Sequence, residues 1–454
     1  MKVALAFPTA AFFLLTGCAV GPDYKRPSVP APPSFRGAAT SSDPASLGDR
    51  KWIEVFQDPI LQRLVAEALA NNRDLKIAAQ RILAAQGQLQ STRSALFPQI
   101  GASGGVGQQR REGSALNLAN AMAGITWEID LFGRIRRATE AATADVRSLE
   151  ADQAAIQQVL VSQVASAYFQ LRELDQELAI LRDSLQTRQV SVRLVTARMT
   201  GGVGTSIDVD QATSLVHQAD AAISNVERGI EQTENLISYL MARQPGPIER
   251  GSALATQVQS AGVPAGIPSS LLERRPDLRS AEQRLVSSNA RIGVAKAAFF
   301  PAITLTASGG YQSVSLLNIV DRAGPVYGFG GTVDLPIFDF GRRSGNYNRA
   351  KAESEAALQM YLKSIDNSFR EVADALIGRQ KAIEEREKLE RLVATLRHQS
   401  RMADLRYRGG VSSYLEVLDT ERQRLNFERD YSRGQYEEAL SLVTLYKALG
   451  GGWQ

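Results

Sequence analysis

The chain is poor in the residues from which most reactive centres are built. Its 454 residues hold one cysteine, Cys18, which excludes a disulfide framework and a cysteine zinc cluster. The two histidines, His217 and His398, lie far apart in polar helical surroundings and leave no multi-histidine metal centre. GxxxxGK[ST], HExxH and GxSxG signatures are missing, and Gly328-Phe329-Gly330-Gly331 falls in a strand pattern rather than a strand–turn–helix. No apolar run approaches the roughly eighteen residues of a membrane helix, so a helical membrane bundle is ruled out. Charge of one sign is also scarce: 52 Lys+Arg face 48 Asp+Glu, a net +4. With no basic stripe and no interleaved aromatics, nucleic acid is not a partner. The chain is therefore not read as an enzyme, and no catalytic residue, metal or cofactor is expected. The length allows two or three domains.

What is present begins at the amino terminus. Lys2 precedes an apolar stretch, Val3 to Leu15, and then small residues, which is the pattern of a secretory signal peptide over residues 1–17. Leu15-Thr16-Gly17-Cys18-Ala19 resembles a bacterial lipobox, and the resemblance implies cleavage before Cys18 and acylation of that residue. Acyl chains bury enough CH₂ groups to hold a protein on a bilayer. Ala19, where a sorting pattern would place Asp for inner-membrane retention, implies the outer membrane. The competing reading is an ordinary signal peptide with a chance cysteine. Residues 18–50, rich in Pro, Ala, Ser and Gly, read as a lipidated, extended tether.

The rest of the chain repeats itself. Asp74-Leu75 recurs as Asp277-Leu278, and Ala95 to Ile100 recurs as Ala298 to Ile303, both at offset 203. Phe132-Gly133-Arg134 recurs as Phe340-Gly341-Arg342, and Thr200-Gly201-Gly202-Val203 corresponds to Arg408-Gly409-Gly410-Val411, both at offset 208. The first repeat spans 51–243, with a β-hairpin at 95–133 and a helical hairpin at 138–243. The second spans 273–454, with hairpins at 300–341 and 343–449. Residues 244–272, with several prolines, form a linker or small equatorial segment.

The strand segments alternate with period two. Ile303, Leu305, Ala307, Gly309 and Tyr311 alternate with Thr304, Thr306 and Ser308; Ile125, Trp127 and Ile129 alternate with Thr126 and Glu128. Phe97, Phe132, Phe300, Phe338 and Phe340 gather at strand ends. Strands of this length and pattern, ending in aromatics, carry the signature of a transmembrane barrel. A half-buried hairpin in a soluble protein is the competing reading of any one strand. The helices carry a different period. Leu160, Val164, Ala167, Leu171, Leu174, Leu178, Leu181 and Leu185 step by four and three, continuing to Val192, Val195 and Met199, which is a coiled-coil seam. A helix over 139–199 would span about 90 Å, which predicts a tube or rod. Four strands cannot close a barrel, and an open edge has no backbone partner in hydrocarbon. Other copies must complete it: two give eight strands, three give twelve with a lumen.

Val20-Gly21-Pro22-Asp23-Tyr24, the block Ile267 to Leu278 containing Arg275-Pro276-Asp277, Phe300-Pro301, and Arg408-Gly409-Gly410 followed by Tyr414 to Asp419 together resemble the outer membrane factor (TolC-like) family. The nearest branch is the NodT-like, OprM-like efflux lipoproteins. The resemblance covers essentially the whole mature chain. It implies an α+β membrane protein with a small equatorial domain, four transmembrane strands per protomer, a twelve-stranded barrel completed by a homotrimer, and a coiled-coil helical tunnel in the periplasm. The implied partners are outer-membrane lipid, a periplasmic adaptor protein and an inner-membrane pump of the resistance–nodulation–division class.

For such a conduit, positioned charges matter more than reacting groups. The glycine turns Gly201-Gly202-Val203-Gly204 and Arg408-Gly409-Gly410-Val411 reverse the helices and would meet the adaptor. Ser206 and Ser412 suit helix N-caps. The resemblance implies a closed aperture built from Arg406, Tyr407, Leu415, Asp419 and Arg422. In it Leu415 forms an apolar ring and Asp419 an acidic ring held by Arg406 and Tyr407 of neighbouring helices. Asp208 and Asp210 are weaker candidates. Arg386, Arg391, Arg397 and Arg401, interleaved with acids, read as exposed helix faces. The function expected is a trimeric export duct for small toxic compounds. A type I protein-secretion duct and a lipid-anchored coiled-coil scaffold that transports nothing are the alternatives. Organic compounds are favoured over metal ions as cargo, because there are only six methionines and two histidines.

Overall fold

A computed structural model describes residues 19–30, 34–37, 46–111, 114–254, 270–313 and 324–453. The signal peptide, Cys18, part of the tether and most of the 244–272 segment lie outside the described residues. In chain order the elements are α1 (Trp52–Val55), α2 (Pro59–Asn71), α3 (Arg73–Ser94), β1 (Gln99–Arg111), β2 (Ser114–Ile129), α4 (Arg134–Thr200) and α5 (Ser206–Leu240). They continue with α6 (Leu271–Arg274), α7 (Pro276–Ala297), β3 (Ala302–Ser313), β4 (Gly324–Asp334), α8 (Arg342–Arg408) and α9 (Tyr414–Ala448). Elements in corresponding positions have equal lengths: 22 residues in α3 and α7, 67 in α4 and α8, 35 in α5 and α9. Among the described residues no helix is long and apolar enough to cross a membrane. The chain divides into two compact units.

The first unit gathers 1–29, 79–151 and 277–364. Its four strands form one antiparallel sheet in the order β1-β2-β3-β4, so β1 and β4 each have one partner and one open edge. The register sorts the side chains by face. Ile100, Ile125, Ala307 and Phe329 form one cross-strand row, and Ala102, Ala123, Gly309 and Tyr327 form the next on the same face. Rows of Glu128, Thr304 and Thr332, and of Thr126 and Thr306, lie on the opposite face. Phe329 is 87% exposed and Tyr327 80% exposed, an unfavourable arrangement in water at about 1.5–3 kcal/mol per large apolar side chain.

Both strand-to-helix junctions are built alike. Asp130 accepts from the backbone N–H of Ile135 (3.0 Å) and Arg136 (2.8 Å), and so caps α4. Asp339 does the same for α8 through Arg343 N (3.3 Å) and also accepts from Gly341 N (3.2 Å). Gly133 and Gly341 take φ of +78° and +91°, conformations that favour glycine. These constraints explain why Phe-Gly-Arg recurs in the sequence.

The tether expectation needs correction. Residues 19–26 are strapped onto the first unit: Val20 N donates to Phe132 O (3.1 Å), Asn289 to Pro22 O (2.9 Å), and Tyr24 OH and Arg26 to Glu282 (3.1 and 3.0 Å). Asp23 pairs with Arg137 at 2.5 Å. Gly21 lies so close to Gly293 that a Cβ on it would stand 2.5 Å from the Gly293 Cα. A composition rich in Pro and Gly here serves close backbone contact rather than freedom.

The second unit gathers 30–78, 152–276 and 365–454 and holds the main core. Leu61, Val65 and Ala68 of α2, Leu160, Val164 and Leu171 of α4, Ile237 of α5 and Val443 and Leu445 of α9 are buried together. The seam predicted on α4 holds at its start and at Leu181 and Val195. Between those two the buried positions are Ser184 and Arg188, in place of Leu185. Arg188 donates to Leu215 O (2.7 Å), and burial lowers its pKa. Leucine counting does not see a polar residue that takes a seam position.

A polar knot fixes α2 beneath α4. Asp58, buried at the N-cap of α2, accepts from Tyr168 OH (2.9 Å), Ser252 N (2.9 Å) and Ile60 N (2.8 Å), while Gly251 N donates to Tyr168 OH (2.9 Å). Burial pushes the Tyr168 phenol up to about 12. The helical run before β1 is broken at Asn72, whose side chain accepts from Asp74 N (2.8 Å) and donates to Leu240 O (2.9 Å).

Two of the four arginines read as exposed faces have structural partners. Arg386 pairs with buried Glu438 (2.9 Å) and Arg397 with buried Glu428 (2.7 Å). Nearby, burial and the Glu177 carboxylate raise Glu173 to about 7 from the ordinary 4.5. An acid raised on folding binds its proton more tightly in the folded state, so its contribution is full below about 4.5 and is lost as pH rises to about 7. Thermal midpoints measured across that window should therefore fall with rising pH, and Glu173→Gln should flatten this part of the curve.

Candidate functional site at the two helix turns

The residues expected to carry function fall at the ends of α4 and α8, in the second unit. Both helices end in the same way. Gly202 N donates to Met199 O and Val203 N to Arg198 O; Gly410 N donates to Tyr407 O and Val411 N to Arg406 O, all at 3.0 Å. This is the paired 5→2 and 6→1 closure of a Schellman motif. Gly202 and Gly410 supply its left-handed residue at φ +76° and +73°. Val203 and Val411, which often fold back in this motif, are instead 69% and 68% exposed.

The returning helices start one residue off the sequence expectation. Thr205, not Ser206, caps α5, in a capping box with Asp208 at N3 (3.2 Å to Asp208 N, and 3.1 Å back from Thr205 N to the carboxylate). Ser413, not Ser412, occupies the N-cap of α9, without a side-chain bond. The physical reason is the box: a carboxylate three residues on selects Thr205, and Asp208 is then committed to capping.

Val195, Ala212, Ala403, Tyr407, Tyr414 and Val417 form a small buried cluster that joins the two turns. The Tyr407 and Tyr414 rings meet at 5.3 Å. The Arg198 guanidinium lies over the Tyr407 ring at 4.6 Å and donates to Tyr407 O at 3.2 Å. Burial raises the Tyr407 phenol, with Arg198 opposing and Asp208 adding to the rise. Burial carries Tyr414 up to about 12. Both phenols are neutral near pH 7.

Leu415 is 66% exposed. Asp419 accepts from Arg422 (2.9 Å) and Gln423 (2.6 Å) of its own helix. Arg406 pairs across its turn with Glu416 (3.2 Å). Within one chain the structure thus joins Asp419 to Arg422, and not to Arg406 or Tyr407. Glu416, Gln423 and Arg198 were not singled out from the sequence. The repeat held the signal for two of them: at offset 208, Arg198 maps onto Arg406 and Asp208 onto Glu416. Among the described residues no group of three His, Cys, Asp or Glu side chains could hold a metal ion.

A family model described as outer membrane efflux protein matches residues 64–243 and 267–451. The toluene efflux pump outer membrane protein TtgC of Pseudomonas putida is 33% identical over 97% of this chain and 94% of its own. The cation efflux system protein CusC of Escherichia coli is 31% identical over the full length of both. The open-state crystal structure of the MtrE outer membrane channel of Neisseria gonorrhoeae superposes with a TM-score of 0.89 at 32% identity, covering 96% of this chain and 99% of that one.

The glycine at each turn is there for its backbone. A Cβ on Gly410 would meet nothing within 4 Å, so Gly410→Ala tests conformation alone. Placing alanine in the left-handed region costs about 1–2 kcal/mol. Hydrogen exchange at the amides of residues 409–411 should accelerate roughly tenfold, in line with that figure.

Proposed function

The chain belongs to the outer membrane efflux protein family, and on that footing we propose that three copies of it form a gated efflux duct through the outer membrane. The observation that carries this reading is the sheet: four strands in one antiparallel order, both edges open, with an apolar face bearing exposed Tyr327 and Phe329. An apolar face turned outward suits lipid, and open edges suit pairing of β1 of one copy with β4 of the next. Three copies give twelve strands and a lumen. The equal lengths of corresponding elements support the two-fold repeat, which lets six quasi-equivalent helical hairpins surround one axis.

Cys18 is the lipidation site of the mature amino terminus. The exposed Val203 and Val411 at the glycine turns suit contact with a periplasmic adaptor, which links the duct to a proton-driven inner-membrane pump. Leu415, Asp419 and Arg422 on α9 form the aperture, with Arg406 and Tyr407 bracing its base. The duct catalyses nothing. Overall similarity does not divide cargo classes, since a relative named for toluene and one named for cations match to the same degree. Small organic compounds remain our reading, because this chain is poor in methionine and histidine. A protein-secretion duct is disfavoured because the relatives named above are efflux proteins.

Removing the protein from its native host should sensitise the cell to small toxic compounds, and the intact gene should restore export. Full survival without it would overturn the reading. Asp419→Ala should raise single-channel conductance in planar bilayers, because three aspartates and their arginines no longer close the axis.

A further inference from the structure

We infer that Arg198 is a positioning residue of the aperture: a clasp that holds the start of α9 against the end of α4 and so keeps the aperture side chains in their closed place. The inference rests on the aperture reading given above. Arg198 is the only basic residue in the last turn of α4. Its own carbonyl accepts from Val203 N and closes the first turn. Its side chain leaves that turn and engages the second. Nη1 donates at 3.2 Å to Tyr407 O, the same carbonyl that receives Gly410 N at 3.0 Å, and the guanidinium plane sits 4.6 Å over the Tyr407 ring. One side chain therefore ties together the closing bonds of both turns.

The path onward to the aperture is short. Tyr407 packs on Tyr414, the first residue of α9, and Leu415 and Asp419 follow on that helix. Asp419 bonds within α9 and Leu415 is exposed, so neither side chain is itself tied to α4 or α5. Their position relative to the first hairpin is thus inherited through Tyr414, which is hydrogen-bonded to Ser191 of α4 and packs on Tyr407, and through Tyr407, which Arg198 holds. Arginine suits the task, since a planar guanidinium can lie on a ring and donate in its own plane at once, which an ammonium cannot. The repeat sharpens the point. Arg406, the counterpart of Arg198, turns to Glu416 beside its own turn, whereas Arg198 reaches across to the other hairpin. Two equivalent positions have been put to different uses, and only one of them couples the hairpins.

The experiment uses the full-length lipidated protein in planar bilayers, with Asp419→Ala as the benchmark. Loss of a cation–π contact together with a charged hydrogen bond should shift the closed-to-open ratio of Arg198→Ala roughly tenfold toward open. Arg198→Lys, which keeps a cation and can make one of the two contacts, should recover part of the closure. Arg193→Ala, an exposed arginine on the same helix, should behave as the parent. The melting temperature of the assembled protein is read in parallel; a leak that appears with unchanged melting supports positioning over general loosening. If Asp419→Ala leaks and Arg198→Ala does not, the clasp is refuted and the aperture stands. If neither leaks, the aperture reading has failed and the clasp falls with it. Equal leaks from Arg193→Ala and Arg198→Ala also refute the clasp. Should Arg198→Ala not assemble, Arg198→Gln is read in its place; it keeps a donor for the Tyr407 carbonyl without the charge, and about a threefold shift is expected.

Discussion

A backbone N–H or C=O in hydrocarbon must find a partner within protein, and a sheet edge is a row of such groups without one. In this chain β1 and β4 are both edges, and the sheet between them turns Tyr327 and Phe329 outward. Water would penalise that face and lipid would penalise those edges. In the proposed duct, pairing with sister chains satisfies both, and oligomerisation then completes the fold itself. The polar rows on the other face, among them Thr126, Thr306 and Glu128, then have an aqueous interior to meet. Strand alternation, open edges and the proposed lumen are three consequences of one solvation requirement.

The junction from strand to helix is where that requirement ends and a different one begins. A helix of 67 residues starts with four N–H groups that lack intrahelical partners. Asp130 and Asp339 take up two of these at α4 and one at α8, and each is followed closely by a glycine with positive φ. The junction therefore needs a short acidic residue two or three positions before a glycine, and the arginines after it can pair back, as Arg136 does with Asp130 and Arg343 with Asp339. The amino-terminal strap lies along the same unit, its Asp23 neutralising buried Arg137. A chain segment that looks like a flexible leader by composition is held by charge and by the absence of two β-carbons.

These devices determine what could be read in advance. The strands and the turn glycines were legible because each depends on a local rule: period two on a pleated strand, a left-handed residue at a helix end. Thr205 displaced the expected cap Ser206 because the choice depends on a carboxylate three positions on, Asp208. Asp58 was invisible, since its partners Tyr168 and Ser252 are 110 and 194 residues away. Ser184 and Arg188 were hidden because a seam position can be polar when a backbone carbonyl such as that of Leu215 receives the charge. The aperture residues were named through family resemblance, but their partners within the chain were not. Asp419 bonds to Gln423 and Arg422, and Arg406 to Glu416, because on one chain the nearest opposite group wins.

The same unit shows why movement at the turns is compatible with a stable body. Its main core draws on α2, α4, α5 and α9 and is anchored by the Asp58–Tyr168 knot; breaking that knot would strand a buried carboxylate and a phenol, at several kcal/mol. The cluster at the turns holds six buried residues, two of them tyrosines whose packing is completed by a single arginine. Stability in proteins is uneven, and elements that must move are drawn from its low end. Separating Tyr414 and Tyr407 from α4 severs the cation–π contact and the hydrogen bond of Arg198, and the hydrogen bond of Tyr414 with Ser191. The Schellman closures of both turns stay inside their own hairpins and survive such a separation intact. The proposed aperture, built on a small core and locally closed turns, can thus open by moving whole hairpin ends, without drawing on the interactions that keep the rest of the unit folded.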